Sequence, residues 1–243
     1  MDWSAFLWFA AALVALLLLE RWIHRHLQGV ALLLVGDAEV AIWLYALPLL
    51  PGVLLHEISH ALAALFVGAR VGRISVLPAR QGERIQLGFV PVEATGPLRT
   101  AFIGLAPLAS GCLALLLIGH LALDLSLLGA ALAAGDPQAI WAGLVQAARA
   151  SDAAVWAYLA FAISNTMLPS RSDMRTWPAM LLFLAATAAL VAVLGLGPTL
   201  AGALRGLAVA CTLTLLLDLP FALLILAAEW GLGWLRGLKV NYR

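Results

Sequence analysis

Residues 48–66 read Pro48-Leu49-Leu50-Pro51-Gly52-Val53-Leu54-Leu55-His56-Glu57-Ile58-Ser59-His60-Ala61-Leu62-Ala63-Ala64-Leu65-Phe66. Apart from His56, Glu57 and His60 the stretch is apolar, and it lies inside a longer apolar run over residues 38–69. A run of more than about 18 apolar residues has the length of a membrane-spanning helix. An ionisable side chain deep in a bilayer is costly unless it is partnered or bound to a metal, so three of them in five positions signal chemistry.

Working outward, 64% of the 243 residues are hydrophobic and 11% are charged, with a mean hydropathy of +1.01. That composition excludes an ordinary soluble domain and makes a bilayer the expected solvent. Further apolar runs occur at residues 3–19, 101–119, 153–168, 178–198 and 206–228. With the run at 38–69 they suggest about six spans at roughly 20 residues each. The expected fold is therefore an all-α polytopic membrane protein, a single domain over residues 1–243 with a metal-site core at about 38–178 and C-terminal helices at about 178–229. The first run lacks a basic leader, and bulky Glu20-Arg21-Trp22 follows where a cleavage site would need small residues, so it reads as a retained helix.

If six spans alternate with both termini on one side, that side carries Arg70, Arg73, Arg80, Arg84, Arg99, Arg171, Arg175, Arg236, Lys239 and Arg243. Arg21, Arg25, Arg149 and Arg205 remain on the other. The excess places the first group and both termini in the cytoplasm, although Arg21 and Arg25 alone would turn the first span the other way.

The longest polar stretch, residues 71–95, reads as two strands at 73–77 and 84–90, a β-hairpin at the membrane surface between the second and third spans. Asp136-Pro137 has the form of a helix start, with Ile140, Trp141, Leu144, Val145 and Ala148 on one face of a helix in the outer interface. Trp230, Trp234, Arg236 and Lys239 read as interfacial anchors. Cys112 and Cys211 read as small buried hydrophobes, and His24, His26 and His120 as solvated or interfacial groups, the first two in a loop after the first span. A net charge of +1 without a clustered basic excess argues against nucleic acid as a partner.

The pattern His56-Glu57-Ile58-Ser59-His60 is HExxH. At about 100° per residue, its two histidines and glutamate fall within an arc of about 100° on a helix. Zinc accepts neutral imidazole nitrogens, and an adjacent carboxylate can take the proton of a water whose pKa the ion has lowered. By chance the pattern would arise in well under ~1% of shuffled chains of this composition. Pro48, Pro51 and Gly52, one to two turns earlier, can bend or unwind the helix. Zinc held by two histidines needs a third protein ligand, and Glu39, Glu83, Glu93, Asp173 and Asp218 are the acidic candidates considered, the two aspartates being the stronger.

These residues resemble the site-2 protease family of intramembrane zinc metalloproteases. In that family an HExxH helix is completed by an aspartate near the end of a later helix, in a motif of the form Asn-x-x-Pro-x-x-x-x-Asp-Gly. Asn165 and Asp173 keep the spacing from asparagine to aspartate, while Pro169 stands one position late and Met174 replaces the glycine. Gly104-Leu105-Ala106-Pro107-Leu108-Ala109-Ser110-Gly111 resembles the family's Gly-Pro-Leu-Ala-Asn segment, with Ser110 where asparagine is usual. The resemblance covers the order of elements from about residue 48 to 178. It implies one Zn2+ per chain held by His56, His60 and Asp173, with Glu57 as catalytic base and Asn165 contacting the substrate carbonyl or oxyanion. It also implies an active site toward the cytoplasmic face.

The expected reaction is hydrolysis of a peptide bond in a transmembrane protein or peptide substrate, in regulated intramembrane proteolysis or signal-peptide clearance. The hairpin would offer an edge to which an unwound substrate adds as a strand. Two rival classes remain: a noncatalytic membrane scaffold of the same fold, and a metal-ion or proton transporter. The second would normally show repeated halves or a string of polar residues along a path.

Overall fold

The apolar runs of the sequence fold as long helices that turn on short glycine- and aspartate-capped corners. The computed structural model describes residues 3–81, 84–93, 96–167 and 197–242. Helix α1 (Trp3–Val35) ends at Gly36, whose φ of 73° is the left-handed stop that glycine adopts without a Cβ penalty. Asp37 then caps α2 (Ala38–Ala46), accepting from the N–H groups of Glu39 and Val40 at 2.8 and 2.9 Å. The chain thus reverses within two residues. A tight 3-10 turn at Leu47–Leu49, carrying Pro48, leads into α3 (Leu50–Phe66). The prolines of this stretch bend the helix without ending the span.

Beyond α3 the chain is extended. Strands β1 (Ala79–Gln81) and β2 (Arg84–Gln86) pair antiparallel, with single bridges Val71 to Val92 and Ser75 to Phe89 below them. The pairing is shorter and closer to the turn than the expected strands at 73–77 and 84–90. Val76, Ile85 and Leu87 pack against the core formed by Ile23, Tyr45, Leu49 and Val53, so this segment folds back between the helices.

Helix α4 (Pro97–Leu117) passes into a widened π-type turn at Ile118–Ala122. Then come α5 (Ser126–Ala134), α6 (Pro137–Ala148), α7 (Ala153–Ser164) and α8 (Gly197–Arg236). Asp136 caps α6 as the sequence suggests, accepting from Gln138 and Ala139. Its buried stripe is turned slightly from the expected one. Gly143 lies against Leu128, where an added Cβ would come within 3.0 Å, so Ile140, Leu144 and Ala147 face inward and Trp141 is exposed. Cys112, expected to be buried, is also exposed.

Among the described residues four helical segments are long and apolar enough to cross a membrane: Trp3–Val35, Ala38–Phe66, Pro97–Ala122 and Pro198–Arg236. Large apolar side chains such as Leu62, Leu65 and Phe66 are exposed, as an all-α chain with membrane-spanning helices requires. The apolar run at 178–198 lies almost wholly outside the described residues.

Two expectations change. His24 and His26 do not sit in a loop, because α1 continues unbroken to Val35. The two histidines find partners on neighbouring helices, while Arg21 and Arg25 are exposed. His26 Nδ1 pairs with Glu229 on α8, and Arg236 donates to the Leu34 carbonyl at 2.6 Å. These contacts advance together along both helices, so α1 and α8 run in the same sense. In a strictly alternating set of six spans the first and last would run in opposite senses. Their outer ends, at Trp3 and Arg236, therefore lie at opposite ends of the helix pair.

Candidate metal centre

His56, Glu57 and His60 project from one face of α3 into the space bounded by α4, α7 and the extended segment. The two imidazoles meet edge to face, with ring centres 4.7 Å apart and planes at 77°. Their Nε2 atoms are 3.1 Å apart. His56 Nδ1 lies 2.6 Å from the carbonyl of Thr166, and His60 Nδ1 lies 2.9 Å from the carbonyl of Ile103. A carbonyl can only accept, so both Nδ1 atoms carry the proton and donate it. Both neutral rings then turn their Nε2 lone pairs toward each other, an arrangement that calls for a proton or a cation between them.

The two carbonyls are free for local reasons. Thr166 lies just beyond the end of α7, where helix carbonyls lack intrahelical partners. Ile103 lies inside α4, and its carbonyl would normally accept from the N–H of residue 107. Pro107 has no N–H, so the oxygen turns to His60.

Close backbone approach brings these groups together. At Gly52 an added Cβ would stand 2.0 Å from the Ala162 carbonyl oxygen, so α3 and α7 touch there, one turn before His56 meets Thr166. At Gly111 it would stand 2.5 Å from Met167 Cβ, which sets α4 against the same turn. At Gly88 it would stand 2.5 Å from Glu57 Oε1, so the extended segment passes directly over the buried carboxylate of Glu57. Ser110, at the position where the resembled family carries asparagine, shares a hydrogen bond with Ser59 of α3 and donates to the Pro107 carbonyl at 3.1 Å.

The remaining expected site residues divide. Asp173 lies outside the described residues. Asn165 caps α7 beside Thr166, buried, with its amide nitrogen donating to the Phe161 carbonyl at 2.9 Å and to Ser164 Oγ at 3.2 Å. Asp218 is buried and accepts from the Ser164 hydroxyl at 2.9 Å. Glu39 and Glu93 are exposed, Glu93 facing Arg70 at 3.9 Å. Among the described residues no three His, Cys, Asp or Glu side chains converge as a metal-binding group.

Sequence reasoning missed His24. Its Nε2–H donates to the Asn165 carbonyl at 2.8 Å, and its Nδ1 accepts the Tyr45 hydroxyl at 2.6 Å. His24 thus holds the end of α7 from α1, next to the carbonyl that orients His56. The spacing of Glu20 and His24, one helical turn apart, was the available signal.

No family model, no curated protein and no solved structure matches this chain.

Proposed function

We propose that the chain is an intramembrane zinc metalloprotease that hydrolyses peptide bonds of membrane-embedded substrates. The observation that carries this reading is the facing pair of Nε2 atoms, each on a ring whose other nitrogen is fixed by a backbone carbonyl. Two nitrogens bound to one tetrahedral zinc stand about 3.3 Å apart, so a separation of 3.1 Å fits such an ion with little adjustment. Backbone-oriented imidazoles are also the usual outer support of zinc ligands. Asp173 would supply the carboxylate, from the segment that follows the α7 turn.

A zinc ion held by His56, His60 and Asp173 would supply Lewis acidity for hydrolysis. Glu57 takes the proton of the attacking water and returns it to the leaving amine. Its burial under Gly88 keeps bulk water from competing for that proton. The extended segment over Glu57 is the natural place for an unwound substrate to run.

The same-sense pairing of α1 and α8 supports an odd number of crossings, counted from α1 to α8, in a multi-pass cell-membrane protein. The arginine-rich segment after α3 would face the cytoplasm, with the active site toward that face.

Elemental analysis of the detergent-purified protein tests the reading. About one zinc per chain is expected, lost in His56→Ala and Asp173→Ala and kept in Asp218→Ala and Glu57→Gln, with Glu57→Gln inactive on a transmembrane peptide. A folded parent without zinc would leave a noncatalytic scaffold as the better description.

A further inference from the structure

A second polar site lies where α1, α7 and α8 meet, and it is composed of oxygen. Asp218 is 0% exposed, Asn165 4% and Glu20 5%. Protons are scarce there. The single hydroxyl proton of Ser164 lies within reach of Asp218 Oδ1 at 2.9 Å, Asp218 Oδ2 at 3.1 Å and the Phe161 carbonyl at 2.9 Å. Asn165 Nδ2 serves Phe161 and Ser164.

Two acceptors are left over. Glu20 Oε1 and Asn165 Oδ1 are sealed from solvent without a hydrogen-bond partner. The Asn165 oxygen belongs to the amide that sits on Ser164, hence beside Asp218, and the Glu20 carboxylate lies within electrostatic reach of Asp218. Among the described residues neither carboxylate has a cationic partner. His24 cannot serve, because its one proton goes to the Asn165 carbonyl.

A buried group with more acceptors than donors and two carboxylates is unfavourable until positive charge enters it. We propose that Glu20, Ser164, Asn165 and Asp218 hold a hard cation of the calcium class. The four side chains offer up to six oxygens, two from each carboxylate and one each from the amide and the hydroxyl. Calcium accepts six to eight oxygens in irregular geometry, and its charge matches that of two carboxylates. Magnesium would need to keep several waters, and zinc prefers nitrogen and sulfur. The site is separate from the histidine pair and does not depend on it.

The test uses the full-length, zinc-saturated protein in detergent. Calcium and zinc are counted together after gel filtration, and the melting midpoint is followed as calcium chloride is added. About one calcium per chain and a midpoint that rises with calcium are expected, both lost in Glu20→Gln with zinc content unchanged. A parent that takes up no calcium and melts identically with and without it overturns the proposal. So does a parent indifferent to calcium whose infrared spectrum shows a protonated carboxyl band that Asp218→Asn removes, because a proton then fills the site.

Discussion

At the level of single residues, Pro107 has a specific task. It costs α4 a hydrogen bond, and the freed Ile103 carbonyl becomes the fixed acceptor for His60. Pro107→Ala would restore an N–H and favour the helix, drawing that carbonyl back into α4. The expected result is a protein at least as stable as the parent, with zinc affinity lower by about 10–100-fold in chelator competition. Unchanged affinity would show that His60 is oriented by other contacts. That His56, Glu57 and His60 would share one face of a helix was legible in the sequence because such spacing is local. The partner of Pro107 was not, since a missing N–H does not say which side chain will claim the carbonyl. His24 was misread as lying in a loop because charged residues such as Glu20 after an apolar run resemble the end of a span. Their spacing of one turn, with Ile23 and Leu27 continuing the apolar face, fits a helix that goes on.

Among the elements, the end of α7 is where the site is assembled. Its Thr166 carbonyl orients His56, Met167 fits against Gly111, Ala162 touches Gly52, and His24 clasps Asn165. Gly52→Ala would push a methyl group into backbone, which cannot rotate away. A loss of about 1–3 kcal/mol in denaturant unfolding is expected, together with weaker zinc binding. Gly88→Ala separates catalysis from metal binding, because its methyl would meet the Glu57 side chain and not a ligand. Zinc content should stay at the parental value while kcat falls at least several-fold. Equal losses of zinc and activity would place Gly88 in the scaffold of the metal site. The start of α6 was legible from Asp136-Pro137 because capping is a short-range matter of side chain and backbone. The strand positions were not, because the extended segment is registered by packing against α1 and α3, which lies outside its own sequence.

For the whole molecule, the same-sense pairing of α1 and α8 alters the reading of charge. Arg236 lies beside Leu34, at the α2 end of α1, whereas Arg70 and Arg73 follow the far end of α3, so helices that cross a membrane would carry the two groups to opposite faces. Single cysteines at Glu39, Arg73 and Lys239, in a background lacking Cys112 and Cys211, test this with a membrane-impermeant thiol reagent. Glu39→Cys and Lys239→Cys should label from one side of sealed vesicles and Arg73→Cys from the other. Labelling of Lys239→Cys with Arg73→Cys would restore the alternating arrangement. A sequence read span by span supplies parity only by counting, whereas the sense of one helix against another is set by contacts distant in the chain.

That pairing also sets an order of events. Glu20, His24 and His26 enter the bilayer with α1, yet Glu229, the partner of His26, and Asp218, the carboxylate nearest in charge to Glu20, belong to α8, some 200 residues later in the chain. Contacts so distant in sequence form late and slowly. While the chain is being made, the polar stripe of α1 must be sheltered by water, by the insertion machinery or by α2 and α7, and arrival of α8 becomes the closing step of assembly.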